Sequence, residues 1–322
     1  MIHEEIVNFG KGGAMCGIFT PAPQKVSNNS LCIIFLNAGL IHKIGPNRIY
    51  KKLSESYAKN GFPSFRLDFA GLGDSGSSND KISNGYEQIN ELKIAMNWLR
   101  ENKGIDRFLL SGICSGAKIA WDVSLEDPRV IGLCLIDGVY ADDQVLKAVE
   151  GKANQRLRIR YYKKNIFNQG RWLKLLSGRS KFLSFKNIVY AGKLILLSTK
   201  KKIKQLRRKT ARKEGNSTVI SRENTLLPWK TLFERGVKIQ MIFCEGGIAV
   251  DIYNLTLATP LIDYQKRRAI QTIVVNDVDH TFTPIWSQNH LADLTTSWLK
   301  SAFEEQYINK THGDLDLMET QR

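Results

Sequence analysis

The sequence predicts an α/β fold, an eight-stranded and mostly parallel sheet with helices on both faces. Three observations carry this. Short runs rich in Val, Ile and Phe recur along the chain, helical patterns lie between several of them, and 25 glycines stand against 8 prolines, which suits many tight strand–helix turns. Strands that alternate with helices pair in parallel, because each helix carries the chain back to the same end of the sheet.

The apolar runs are 2–9, 15–21, 31–36, 64–69, 108–112, 130–136, 237–243 and 270–275. Gly10-Lys11-Gly12-Gly13 joins the first two, which predicts an antiparallel hairpin at one edge. Ile49, Leu53 and Tyr57 recur every four residues, and Ile89, Leu92, Met96 and Leu99 follow i, i+3, i+7, i+10, each marking one face of a helix. Leu291, Leu294 and Trp298 mark a helix near the C-terminus. From 141 to 228 the rhythm breaks, so the expected organisation is a core of 1–140 and 229–322 interrupted by an insertion between the sixth and seventh strands.

Composition narrows the class. A chain of 322 residues with 43% hydrophobic and 24% charged residues is neither globally disordered nor collagen-like nor a disulfide-stapled miniprotein. No run of about 18 uncharged apolar residues appears, so no spanning helix is expected. MIHEEIVNFGKGG lacks the basic and apolar regions of a secretory signal. The five cysteines, Cys16, Cys32, Cys114, Cys134 and Cys244, read as reduced thiols, mostly buried, in a cytoplasmic protein.

The net charge of +16 is concentrated. Residues 147–213 hold 22 Lys or Arg and one acid, Glu150, while the remainder holds 25 basic and 30 acidic residues. A mildly acidic body therefore carries one intensely basic insert, and the 200–213 run alone has nine cations and no acid. Such a run is either a solvated face or a docking surface for an anionic partner.

The sharpest chemical motif closes the fifth run. Gly112-Ile113-Cys114-Ser115-Gly116 fits small-x-nucleophile-x-small, the elbow that turns a strand sharply into a helix. Small residues flank the nucleophile because the turn strains its backbone and brings neighbouring chains close. Making Ser115 the nucleophile would put Ile113 at a small position, so the pattern selects Cys114. A thiol of ordinary pKa about 8.5 is only a few per cent thiolate at neutral pH, and a helix N-terminus or an imidazole lowers that value.

Asp68 to Ser75 read D-x-x-G-x-G-x-S, Asn37-Ala38-Gly39-Leu40 follows the third run, and Asp279-His280-Thr281-Phe282 follows the eighth. On these segments and the elbow the chain resembles the alpha/beta-hydrolase superfamily over roughly 1–140 and 229–305. Asn37 to Pro46, Gly112 to Ala117 and Asp279 to Phe282 further resemble the exosortase-system-associated hydrolases of bacterial exopolysaccharide clusters. The resemblance implies that His280 exchanges a proton with Cys114, and that the amides of Ser115 and of Gly39 or Leu40 hold a developing oxyanion. His42, beside that loop, is a candidate for lining the substrate pocket. The insertion at 141–228 stands where the superfamily carries a cap, here a basic helical one.

The third member of the triad departs from the pattern. The superfamily places an acid shortly after its seventh strand, where this chain has Gly247. Asp251, four residues on, is the first candidate and Asp137, ending the sixth run, the second; Glu245 lies nearer the strand end. A Cys–His pair without an acid also stays open, since a thiol proton is easily removed.

No zinc spacing, P-loop or complete dinucleotide motif appears, so neither a metal nor a cofactor is expected. The leading expectation is a thiol-dependent acyl hydrolase or acyltransferase, esterase-like or thioesterase-like, acting on a small-molecule or carrier-bound acyl group in polysaccharide or lipid metabolism. A lyase or isomerase on the same fold, or an idle fold kept as a binding module, are the alternatives. The expected location is cytoplasmic, with peripheral association at the inner membrane face through an anionic lipid surface; an acidic acyl-carrier protein would be drawn equally, and no recognised module favours nucleic acid. Neutralising Lys200, Lys201, Lys202, Arg207, Arg208 and Lys209 together should abolish salt-sensitive co-sedimentation with anionic vesicles while leaving turnover of a small soluble ester largely unchanged. Unaltered binding would make the run a solvated face.

Overall fold

A computed structural model describes residues 2–23, 31–76, 82–140, 143–166 and 222–303. Eight strands form one sheet: β1 (Glu5–Phe9), β2 (Met15–Thr20), β3 (Leu31–Leu36), β4 (Ser64–Leu67), β5 (Arg107–Ile113), β6 (Val130–Ile136), β7 (Lys238–Cys244) and β8 (Ile270–Val275), in the order β1-β2-β4-β3-β5-β6-β7-β8. β1 and β2 make the expected antiparallel hairpin, from Glu5 opposite Phe19 to Phe9 opposite Met15. β2 also runs antiparallel to β4, and every pair from β4 to β8 is parallel.

The central strands are buried on both faces, which is why they read as continuous apolar runs without alternation; every residue of β3 is buried. Helix α1 (Ile49–Lys59) buries Ile49, Leu53 and Tyr57, the predicted stripe. Helix α2 (Gly85–Lys103) buries Leu92, Met96 and Leu99. Asn84 and Glu87 form a capping box at its start, and Gly104 in the left-handed region ends it. Helix α3 (Ser115–Glu126) follows β5. Four more helices are α4 (Asp143–Ile166), α5 (Arg222–Glu234), α6 (Ala249–Thr256) and α7 (Ile262–Lys266), and α8 (Ile285–Phe303) comes last.

Two apolar clusters line the two faces. One joins residues of α2, α3, α5 and α6 to the sheet, among them Leu92, Ala120, Trp229 and Tyr253. The other joins α1 and α8 to the opposite face through Tyr50, Leu53, Leu291 and Leu299. The chain divides into one compact unit of Met1–Leu157 with Arg222–Arg322 and a second of Arg158–Ser221, most of which lies outside the described residues. Among the described residues no helix is long and apolar enough to cross a membrane.

With β3 to β8 parallel, the loops after them gather at one edge, where α/β proteins place their chemistry. The first turn of α3 is packed backbone against backbone there. A Cβ on Gly112 would lie 2.4 Å from the Gly116 carbonyl carbon, and one on Gly116 would lie 2.6 Å from the Leu36 carbonyl oxygen. Rigid main chain cannot yield to an added methyl. Gly116→Ala should therefore lower the urea midpoint at a cost of about 1–3 kcal/mol or more. Gly151→Ala, on α4 with nothing within 4 Å of its added carbon, should leave the midpoint unchanged or raise it.

Candidate active site

Cys114 sits between β5 and α3 with φ 58° and ψ −116°, a conformation that side-chain-bearing residues rarely adopt. Its amide donates to the Ile136 carbonyl of the neighbouring strand at 2.9 Å, which holds the turn in place. The thiol is exposed, while Cys16, Cys32, Cys134 and Cys244 are buried. The first helical bond of α3 runs from the Lys118 amide to the Cys114 carbonyl, so the amides of Ser115, Gly116 and Ala117 precede the helix's own ladder and face the nucleophile's end.

His280 arrives on the loop after β8. The Asp279 carboxylate shapes that loop by accepting from the amides of Thr281 at 3.2 Å and Thr283 at 2.9 Å. Phe282, fully buried with φ 53°, anchors it. Asn47 holds it from the other side through the Thr281 carbonyl at 2.9 Å.

The His280 ring bonds through Nδ1 to Oδ2 of Asp137. Asp137, ranked second to Asp251 on sequence, is the carboxylate that makes this contact. Asp137 leaves the end of β6 with φ 46°, its amide bonded to the Ile242 carbonyl at 2.7 Å, which turns the carboxylate toward β7 and the histidine loop. Its Oδ1 accepts from the Cys244 amide at 3.1 Å. Asp251 lies buried in the first turn of α6. Glu245 accepts from the Asp277 amide at 3.3 Å and so braces the loop after β8.

Gly247 now has a physical reason. A Cβ there would lie 2.6 Å from Oδ2 and 2.8 Å from Oδ1 of Asp137. The carboxylate reaching in from β6 occupies the space a side chain on the β7 loop would need, so an acid at 247 and Asp137 in this pose exclude one another.

The charges follow from these contacts. A hydrogen bond from His280 chiefly lowers the Cys114 pKa, against burial that raises it; the imidazolium charge and the Ser115 amide lower it further. The His280 pKa rises to about 10, first through its bond to Asp137 and then through Cys114, against partial burial. With Nδ1 committed to Asp137, the other ring nitrogen serves the thiol, and each partner favours the charged form of the other.

Sequence reading missed two supports. The Tyr50 hydroxyl donates to the Leu36 carbonyl at 2.9 Å and accepts from the Ile113 amide at 3.0 Å, tying the ends of β3 and β5 together. Asp68, with a fully buried carboxylate, accepts from Asn37 Nδ2 at 3.0 Å, the Lys43 amide at 2.5 Å, Lys43 Nζ at 2.7 Å and the Asp74 amide at 3.1 Å. Lys43 also bonds Asp74. This network fixes the loop carrying Gly39 and Leu40 to the loop after β4. It also accounts for the D-x-x-G-x-G-x-S spacing, since a Cβ on Gly73 would lie 2.2 Å from Asp68 Oδ2, and Ser75 Oγ donates to the Asp68 carbonyl at 2.7 Å. A lysine within the loop that carries Gly39 and Leu40, with that motif's aspartate as its candidate partner, was the available signal.

Gly39 and Leu40 occupy the turn closed by the Ile41 amide on the Ala38 carbonyl at 3.1 Å, and both are exposed. The Gly39 amide donates to Ser115 Oγ at 2.8 Å. His42 is exposed on the same loop, and among the described residues it makes no hydrogen bond to Cys114, His280 or Asp137. Lys200, Lys201, Lys202, Arg207, Arg208 and Lys209 lie outside the described residues.

No protein-family model and no curated protein matches the sequence. Solved structures do match in shape. A proline iminopeptidase from Mycobacterium smegmatis is 13% identical, with 93% of this chain and 98% of that chain covered at a TM-score of 0.52. An esterase from Pyrococcus furiosus is 13% identical over 93% and 91% of the two chains, at 0.51. An alpha-beta serine hydrolase homologue from Coxiella burnetii is 12% identical over 92% and 97%, at 0.50. The chain has the alpha/beta-hydrolase fold. At these identities the likeness speaks to the fold alone, and the chemistry has to be argued from the site.

Alkylation by iodoacetamide should test the electrostatics without any substrate. Cys114 should react first among the five cysteines, with a midpoint below the free-thiol value of about 8.5. Asp137→Asn removes the anion that favours the imidazolium, so the thiolate loses its counter-charge and the midpoint should move up. Asp251→Asn should leave the profile in place. Equal shifts in both variants would argue against the Asp137 assignment.

Proposed function

We propose that this chain is an acyl hydrolase or acyltransferase that works through a covalent thioester on Cys114. The observation that carries the reading is the run of contacts from the strained, exposed Cys114 through His280 to the buried Asp137. The thiolate attacks the carbonyl carbon of an ester or thioester, forming a C–S bond as the carbonyl π pair moves onto oxygen. Collapse restores the carbonyl and breaks the bond to the leaving group, which takes the proton from His280. The now neutral imidazole then takes a proton from water, or from an alcohol or amine, as that acceptor attacks the acyl-enzyme, and the C–S bond breaks to release the product and return the Cys114 thiolate beside the imidazolium. Hydrolysis and transfer differ only in the acceptor.

The motifs shared with exosortase-associated hydrolases support a substrate from bacterial polysaccharide or lipid metabolism. The charge of the 147–213 segment supports delivery on an anionic surface or an acidic carrier. An idle fold explains the site less well. A residue at φ 58° costs roughly 1–3 kcal/mol and persists only where the surroundings hold it, and such strain clusters at functional sites.

Intact-protein mass spectrometry after incubation with acyl thioesters and p-nitrophenyl esters should find one acyl group, on Cys114. Cys114→Ala should abolish it. Cys114→Ser should lose about 100-fold or more in turnover, because a hydroxyl is far harder to deprotonate than a thiol. No adduct and no turnover across the panel, with Cys114 still rapidly alkylated, would favour a binding role.

A further inference from the structure

Beside the Ser115 amide, sequence reading offered the amide of Gly39 or of Leu40 for the oxyanion, and the Gly39 amide is already committed. Gly39 has one amide proton, and it goes to Ser115 Oγ at 2.8 Å. While that bond stands, the Gly39 amide has nothing to offer a substrate oxygen. Its acceptor is the residue directly after the nucleophile, at the first position of α3 and exposed like Cys114 itself.

A hydroxyl that accepts one hydrogen bond keeps its own proton to donate, and the bond it receives polarises it and strengthens that donation. The Gly39 amide is a firm anchor, because its loop is held through Asn37, Asp68 and Lys43. Gly39, Cys114 and Ser115 are all exposed, so the pair is accessible to an incoming group.

We propose that the Ser115 hydroxyl, held by the Gly39 amide, is a direct donor to the oxyanion, alongside the Ser115 backbone N–H. Gly39 is then a positioning residue that acts through Ser115. The proposal rests on the acyl-enzyme reading. As the Cys114 Sγ–C bond forms and the π pair moves to the carbonyl oxygen, Ser115 Oγ–H and N–H donate to that oxygen. When the carbonyl re-forms and the leaving group departs with the proton from His280, both donors are released, and Ser115 neither gains nor loses a proton.

Single-turnover kinetics on the full chain tests this with two probes. p-Nitrophenyl acetate reports acylation of Cys114, which develops an oxyanion; iodoacetamide reports alkylation of the same thiolate, which does not. Ser115→Ala should slow acylation about 100-fold, the scale measured for losing one such donor. Its alkylation rate should stay near wild type, which also shows the elbow intact, and Ser115→Thr, which keeps a hydroxyl, should recover most of the acylation rate. Acylation of Ser115→Ala as fast as wild type or faster would overturn the proposal, since the hydroxyl would then be a spectator or an obstruction on the Gly39 amide. An equal loss in both probes would also overturn it, placing the effect on the thiolate. A wild-type protein that alkylates rapidly but is never acylated would instead remove the acyl-enzyme reading, and this proposal with it.

Discussion

A carboxylate with no exposed surface needs partners for its oxygens, and Asp137 finds them on two neighbouring elements: the Cys244 amide on β7 for Oδ1 and the His280 ring for Oδ2. Burying such a charge costs several kcal/mol unless partners compensate it. The compensation is what fixes the histidine. His280 is half exposed on a loop and would otherwise be free to turn; bonded at Nδ1 it presents one nitrogen to Cys114 and carries a proton well above neutral pH. The depressed thiol pKa then follows, as does the glycine at 247, whose missing side chain leaves the room that the carboxylate fills.

The other half of the site is built from main chain held rigidly. Gly112 and Gly116 let α3 begin in contact with β5 and the end of β3, and Tyr50 ties those two strand ends with a single buried hydroxyl. Lys43 and Asp68 form a buried ion pair below the Gly39 turn. Replacing such a pair with apolar groups is often neutral for stability, so its more specific consequence is geometric: it fixes where the Gly39 turn stands relative to Cys114. Gly39, Cys114 with Ser115, Asp137 and His280 come from four separate loops, and each is braced by contacts to its neighbours.

Shape likeness to an iminopeptidase, an esterase and a serine hydrolase homologue, at 12–13% identity, leaves the reaction to be argued from the site. On the proposed reading a cysteine nucleophile matters, because a thiol whose pKa is lowered by its imidazole neighbour gives up its proton far more readily than a serine hydroxyl would. That difference is compatible with an acid supplied from β6, since the carboxylate keeps the ring oriented whether it is charged or neutral.

The sequence by itself determined the strands, the helix stripes, the hairpin and the elbow, because these are local. Periodicity reports which faces are buried, and Gly112-Ile113-Cys114-Ser115-Gly116 reports a turn that only small neighbours allow. It also narrowed the histidine to His280 through its place after the last strand. It could not choose between Asp251 and Asp137, since both follow strands at the same edge of the sheet and chain spacing says nothing about which carboxylate reaches across β7. Nor could it see that the Gly39 amide is taken by Ser115, or that Lys43 closes onto Asp68. Those pairings join residues 25 to 143 positions apart. They were decided only by tertiary structure, where the left-handed turn at Asp137 and the bare Cα of Gly247 bring that carboxylate to the His280 ring.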